Sequence, residues 1–348
     1  MHYTKQGEIL RTINSPDDIK SLSEEQLVRL CKELREYIIG VLSENPGHLA
    51  SSLGTVELTV ALHYLYDVPN DSLVWDVGHQ AYSHKVLTGR RNEFENIRKL
   101  NGLSGFPRRD ESKYDSFGAG HASTSISAAL AMAIADRLNG RNNHHIAVIG
   151  DGSMTGGLAF EALNHAGSTD ADVLIILNDN GISIDKQVGA LSRYLTKITS
   201  SAAYNRLKNK IWNLMGGNTD AYTRHKTIFK KVSFATKSLF SGKSNFFEAL
   251  NIRYFGPIDG NDVHTLVHTL SDLKSIKGPK LLHIITKKGK GLDAAENNPT
   301  TYHAPGVFDP LTGALPKKDT VSAHAPKFQD VFGETLLELA RKYENIVG

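Results

Sequence analysis

Two short polar clusters, Gly150-Asp151-Gly152 and Asn178-Asp179-Asn180, are separated by 25 residues, and each follows an apolar run. The runs HIAVIG (145–150) and DVLIILN (172–178) read as buried parallel strands. Ligands of open α/β sheets sit beyond the carboxyl ends of strands, so both clusters are expected at one edge. Asp151 and Asn180 offer hard oxygen donors, which suit Mg2+ rather than a soft metal. Gly152 lets a bulky anion approach the backbone, and free N–H groups at the start of the next helix would meet it. Mg2+ commonly shares its shell with phosphate oxygens, so the chemistry suggested is a cation-held diphosphate. The plainer alternative is a pair of polar strand-to-helix turns.

The elements that must position these clusters follow from periodicity. Between the two strands, LAFEALNHAG (158–167) reads as a short helix closed by Gly167 as a cap. Strand, helix and strand make a right-handed βαβ unit. LVWDVG (73–78) reads as a further strand, HASTSISAALAMAIADRL (121–138) as a helix buried on the sheet, DVHTLVHTLSDLK (262–274) as another, and KLLHIIT (280–286) as a last strand. Residues 15–45 read as helical, with Ser23 and Gln26 at capping-box spacing, and GTVELTVALHYLY (54–66) adds a second helical period. The expected class is α/β, with a mostly parallel sheet flanked by helices.

Composition narrows the function classes. Of 348 residues, 40% are apolar and 22% charged, ordinary values for a globular protein. No apolar run approaches the roughly 18–20 residues needed to span a bilayer, so no membrane partner is expected. Asp17, Asp18, Glu24 and Glu25 interrupt the first thirty residues, which lack the apolar core of a secretory signal. The single cysteine, Cys31, has no intramolecular disulfide partner, and a cytoplasmic protein is expected. The net charge of +3 conceals a basic stretch between Lys197 and Lys243, where ten Lys or Arg face one acid, Asp220. No recognition motif accompanies it, so nucleic acid is not an expected partner. A solvated, mobile helical insertion over about 197–246 is the simpler account. After Gly291 the chain turns rich in proline and turn residues, reading as a linker over 304–327 after an α/β domain 1–303. A new helix then begins at 328, and Asn345-Ile346-Val347 reads as the opening of a strand in a second domain cut short at 348.

Longer runs carry a family likeness. WDVGHQAYSHKVLTGRR (75–91), GLSGFPRRDESKYDSFGAGHASTSISAAL (102–130), GDGSMTGGLAFEALNHAG (150–167) and NDNGISI (178–184) resemble the 1-deoxy-D-xylulose-5-phosphate synthases, which are transketolase-like enzymes. PGHLASSLGTVELTVALHYLYD (46–67) and FEALNIRYFGPIDGND (247–262) extend the match, from about residue 10 to 348. The resemblance implies a thiamine-diphosphate-binding fold with Mg2+ as second cofactor. It implies metal ligation by Asp151, Asn180 and the Ile182 carbonyl, and diphosphate contact at Gly152 and Ser153. His79 and the Gly120-His121-Ala122 turn would line the cofactor, while His48 and His303 would face the substrate. Leu292 stands where the family usually has an aromatic residue against the cofactor. Ala122 replaces a serine, and Pro46 often a glycine.

The implied reaction condenses pyruvate with D-glyceraldehyde 3-phosphate, with loss of carbon dioxide, to 1-deoxy-D-xylulose 5-phosphate. That product is a precursor of isoprenoids, thiamine and pyridoxal. The family carries its ring-activating glutamate and phosphate-binding arginines in a second domain, so the 348-residue chain alone is expected to be inactive. A homodimer is expected of the complete protein. Two other readings remain open: the cofactor-binding half of a split transketolase-like enzyme, and a non-catalytic cofactor-binding scaffold.

Overall fold

The computed structural model describes residues 6–182, 189–199, 245–316 and 325–347. The basic stretch 197–243 therefore lies almost wholly outside the described residues. The chain divides into a compact unit, Met1–Leu315, and a second unit, Pro316–Gly348. The larger unit holds five strands: β1 (Ser72–Trp75), β2 (His145–Gly150), β3 (Val173–Asp179), β4 (Arg253–Asp259) and β5 (Lys280–Ile285). They form one parallel sheet in the order β1-β2-β3-β5-β4. Its main helices are α1 (Glu24–Glu44), α2 (Leu49–Gly54), α3 (Val56–Leu65), α4 (Ser125–Leu138), α5 (Gly157–Gly167), α6 (Ala190–Thr199) and α7 (Val263–Lys274).

The strands read as continuous apolar runs because both faces of the sheet are covered. Alternate residues go to opposite sides. Ile146, Val148, Leu174, Ile176, Leu282 and Ile284 join one core with Leu30 and Leu34 of α1, Leu58 of α3 and Leu266 of α7. Ala147, Ile149, Val173, Ile175 and Leu177 join a second core with Ala129 and Ala133 of α4 and Ala162 and Ala166 of α5. The small residues of α4 and α5 let those helices approach the sheet closely. At the start of α1, Gln26 N–H donates to Ser23 Oγ and Ser23 N–H to Gln26 Oε1, the capping box its spacing predicts.

Local readings needed correction at five places. The helix expected from 121 begins at Ser125, because Ser123 takes a left-handed conformation (φ 71°) that ends any earlier turn. The helix read over 54–66 starts two residues later, as α3, because Thr55 separates it from α2. Strand β4 was not foreseen: Gly256-Pro257 interrupts it, and the ladder with β5 shifts register between Phe255 and Ile258. Gly167 is no left-handed cap but the last residue of α5; a Cβ there would stand 1.7 Å from the Leu250 carbonyl oxygen. Finally, Asn345-Ile346-Val347 forms no strand. Ile346 N–H closes a turn on the Tyr343 carbonyl (3.2 Å), and a strand exists only through a paired neighbour.

The first unit runs on past His303. Tyr302 and Phe308 are buried, Phe308 N–H donates to the Ser43 carbonyl (3.1 Å), and the Tyr302 hydroxyl donates to the Gly313 carbonyl. The second unit contains α8 (Phe328–Lys342), none of whose residues is buried. Among the described residues no helix is long and apolar enough to cross a membrane.

Gly167 offers a test of this packing. Alanine in a helix is normally favoured over glycine by roughly 0.5–1 kcal/mol, but here the methyl group would overlap backbone. Gly167→Ala is expected to destabilise by about 1–3 kcal/mol in urea unfolding. Equal or greater stability would contradict the close approach of Leu250.

Candidate active site

The register of the sheet brings the two polar clusters together. Gly150 lies beside Asn178, and Asn178 and Asp179 lie beside Ile284 and Ile285. Asp151 N–H donates to the Asn178 carbonyl (3.2 Å), which sets its carboxyl group at the edge of β3. Asp151 is 3% exposed, and its oxygens accept from Gly152 N–H (3.0 Å) and Gly181 N–H (2.9 Å). The same Gly181 N–H also reaches Asp179 Oδ1 (3.1 Å), so two buried carboxylates converge on one peptide. Burial, and then the charge of Asp179, push the Asp151 carboxyl up to about 7. Burial also acts to raise Asp179, but the hydrogen bond from His283 leads the interactions that outweigh it and hold Asp179 below the usual carboxylate range.

Asn180 Oδ1 accepts from Ile182 N–H (3.2 Å), closing the turn that carries the three expected ligands' last two members. Asn178, by contrast, is structural: its amide donates to Gln80 Oε1 (3.1 Å) and its Oδ1 accepts from the Thr286 hydroxyl (2.5 Å). Gly152 opens onto a 3-10 turn, Ser153–Thr155, and α5 starts only at Gly157. The N–H groups expected to meet an anion therefore belong to that turn rather than to a long helix.

The end of β1 builds the opposite wall. Asp76, 1% exposed, accepts from Ser123 N–H (2.8 Å) and Ser125 N–H (3.0 Å), so it fixes the start of α4 and the turn before it. Ser123 Oγ in turn donates to the Ser153 carbonyl (2.7 Å), linking that turn to the Gly152 loop. Gly78 (φ 88°) can only be glycine, since a Cβ would fall 2.5 Å from Pro107 Cδ and 2.9 Å from Ala119 Cβ. That close contact delivers His79 to the interior. His79 Nδ1 is buried and makes no hydrogen bond among the described residues.

His48, His79 and His303 come together from distant parts of the sequence, their ring centroids 5.8–5.9 Å apart. His48 Nδ1 lies 3.4 Å from the Tyr82 hydroxyl, and Ser51 Oγ lies 3.4 Å from His303 Nδ1. Phe106 closes over His48 with ring centroids 5.3 Å apart. Burial lowers His48 to about 4, helped by Arg98 and His303, and lowers His79 to about 3, helped by His48, His303 and Lys288. His303 is also lowered, by burial and then Lys288. All three are therefore neutral imidazoles at pH 7, able to accept or donate one proton each.

The other expected residues differ in exposure. His121 and Ala122 are exposed, in a turn with Gly120 (φ 146°). Leu292 is buried in the apolar core that includes Tyr302 and Phe308, where it contributes shape but no polar contact. Three residues of the site escaped the sequence reading: Asp76, His283 and Lys288. Lys288 is 5% exposed, and burial lowers its ammonium to about 8, partly offset by the Asp151 carboxylate. It acts electrostatically on Asp151, His79 and His303 together. Its only sequence signal was its place in the turn after β5, at the same sheet edge.

These residues fit a magnesium diphosphate. Two buried carboxylates facing one another, beside amide and carbonyl oxygens, are hard donors in need of a cation. A partly charged buried lysine and the N–H groups of a glycine turn suit phosphate oxygens. Among the described residues there is no group of three or more His, Cys, Asp or Glu that could hold a metal by themselves.

The raised Asp151 carboxyl sets a pH dependence. Unfolded, it titrates near 3.8; folded, at about 7. Its favourable contribution is thus complete below about pH 4 and is lost as pH rises through 7. In EDTA, the unfolding free energy of Asp151→Asn should gain on that of the parent between pH 4 and pH 8, by at most about 1.4 kcal/mol per pH unit. His48 and His79 run the opposite way, but both proteins carry them and they cancel in the difference. Parallel pH profiles would contradict the raised carboxyl.

Comparison with known proteins places this geometry in a family. Residues 10–286 match the model of 1-deoxy-D-xylulose-5-phosphate synthase. A 1-deoxy-D-xylulose-5-phosphate synthase of Cytophaga hutchinsonii is 54% identical over 342 residues, covering 98% of this chain and 54% of that protein. The enzyme of the same description from Azobacteroides pseudotrichonymphae is 56% identical over 341 residues, with 98% and 54% covered. Among solved structures, a transketolase from Campylobacter jejuni superposes with a TM-score of 0.59 at 20% identity, covering 91% of this chain and 47% of that one. A transketolase from Leishmania mexicana gives 0.55 at 17% identity, with 77% and 37% covered. These two likenesses establish a transketolase-like fold. The chain belongs to the 1-deoxy-D-xylulose-5-phosphate synthase family, and it spans about half the length of the curated relatives it matches.

Proposed function

We propose that the chain carries the magnesium and thiamine-diphosphate site of an enzyme condensing pyruvate with D-glyceraldehyde 3-phosphate, with decarboxylation, to 1-deoxy-D-xylulose 5-phosphate. The observation that carries this reading is the convergence of Asp151 and the Asn180 turn with His48, His79 and His303 around one sheet edge. Asp151, Asn180 and the Ile182 carbonyl hold Mg2+. Gly152 and Ser153 receive the diphosphate, with Lys288 as a nearby counter-charge. When bound, thiamine diphosphate supplies a carbon nucleophile and the electron sink that lets a 2-oxo acid lose carbon dioxide.

The chain's own groups then orient and exchange protons. His79 Nδ1, without a partner among the described residues, turns to the cofactor. Gly120, His121, Ala122 and Leu292 complete its surroundings. His48 and His303 have their Nδ1 atoms engaged by Tyr82 and Ser51, which leaves Nε2 of each for substrate oxygens. As neutral rings they hydrogen-bond to an oxygen that gains charge, and they pass a proton at Nε2 near neutral pH. Phe106 and the surrounding apolar walls limit water beside them. A cytoplasmic homodimer is the assembly this reading implies.

Two measurements test it. Calorimetric titration of the chain with thiamine diphosphate is expected to show binding that requires Mg2+ and that Asp151→Ala abolishes; equal affinity in the variant would remove Asp151 from the metal shell. In a protein of the relatives' full length, His48→Ala should lower kcat by about 10²- to 10⁴-fold with cofactor affinity retained. An unchanged kcat would exclude His48 from proton transfer.

A further inference from the structure

Beneath the metal edge, three adjacent strands each contribute one polar side chain. The Tyr254 hydroxyl of β4 lies 2.7 Å from His283 Nδ1 of β5, and His283 Nε2 lies 3.0 Å from Asp179 Oδ2 of β3. His283 is fully buried, Tyr254 is 5% exposed and Asp179 9%. Phe247 stacks on Tyr254 with ring centroids 5.7 Å apart, and Leu282 and Ile284 flank His283 in sequence on β5. The backbone ladders of β3, β4 and β5 need none of these polar groups. Apolar residues of similar volume would fill the same space without desolvating a carboxylate.

The line has a direction. Asp179 is acceptor-only as a carboxylate, so His283 donates through Nε2–H. Its Nδ1 then carries a lone pair, which accepts from the Tyr254 hydroxyl, and this fixes the tautomer. The other Asp179 oxygen accepts from Gly181 N–H, the same N–H that reaches Asp151 Oδ2. Gly181 is flanked by Asn180 and Ile182. The chain of hydrogen bonds thus ends on the one peptide that joins all three residues assigned to the cation.

We propose that Tyr254, His283 and Asp179 form a buried hydrogen-bonded relay that positions Asp151 and the Asn180–Ile182 turn for Mg2+, with Tyr254 and His283 acting only as positioning residues. The proposal rests on the magnesium–diphosphate reading above and adds to it the residues that set the geometry of its ligands. Groups that orient the ligands of a metal commonly govern its affinity by 10- to 100-fold.

The test is calorimetric titration of Mg2+ into the chain in the presence of thiamine diphosphate, with thermal midpoints recorded for each protein. His283→Leu is expected to weaken Mg2+ binding by about 10- to 100-fold, and His283→Gln, which restores an N–H donor, to recover part of it. Tyr254→Phe, which deletes one oxygen, should weaken it by at least about threefold. Because Tyr254 acts through His283, adding Tyr254→Phe to His283→Leu should cause no further loss. Parent-like Mg2+ affinity in the variants, with only the thermal midpoint lowered, would show the relay to be merely structural and overturn the proposal. So would independent, multiplying losses in the double variant. If His283→Leu fails to fold, Tyr254→Phe decides alone, and unchanged affinity in it rejects the relay. Absence of any Mg2+-dependent binding in the parent would instead sink the site reading itself, and the relay with it.

Discussion

The site depends on negative charge held where water cannot reach it. Asp151 and Asp179 meet at the Gly181 N–H, one carboxyl pushed up by burial and its neighbour, the other held down by His283. Without a cation, a buried pair of this kind is a cost to the folded state. A divalent ion turns the same arrangement into an attraction. Much of the surrounding structure is explained by the need to keep that pair close, dry and fixed in direction.

The parallel sheet meets this need through its edge. Strands β2 and β3 end in register, so a polar residue placed just beyond one apolar run must stand beside the end of the other. The crossover that sets β5, rather than β4, next to β3 then brings His283 beneath Asp179 and Lys288 beside Asp151. The end of β1 adds His79 through the tight contact of Gly78 with Pro107 and Ala119, while Asp76 ties down the start of α4. His48, at the start of α2, and His303, at the end of the 3-10 turn Thr301–His303, complete a group of neutral imidazoles that no single segment could assemble. Their neutrality follows from burial, and it leaves each ring one N–H donor and one lone pair to offer.

How much of this could be read from the chain alone follows from what is local. The motifs around Asp151 and Asn180 were legible because strand, turn and polar cluster are contiguous, and the continuous apolar runs of β2 and β3 made the parallel sheet legible as well. His48, His79 and His303 were found through resemblance to the family, since nothing in their spacing says that they meet. Asp76, His283 and Lys288 were not found. Each is one polar residue in an otherwise ordinary strand end, and its meaning depends on which strands become neighbours. β4 was missed because Gly256-Pro257 breaks its pattern, and Gly167 was misread because its neighbour, Leu250, lies 83 positions along the chain. In both cases a tertiary contact overrode the local signal.

The most direct test of the central claim is a crystal structure of the chain grown with Mn2+, in place of Mg2+, and thiamine diphosphate. The account predicts an anomalous peak about 2.1–2.3 Å from an Asp151 carboxylate oxygen, Asn180 Oδ1 and the Ile182 carbonyl oxygen. A metal peak away from these three atoms, or diphosphate bound with no metal beside Asp151, would contradict it.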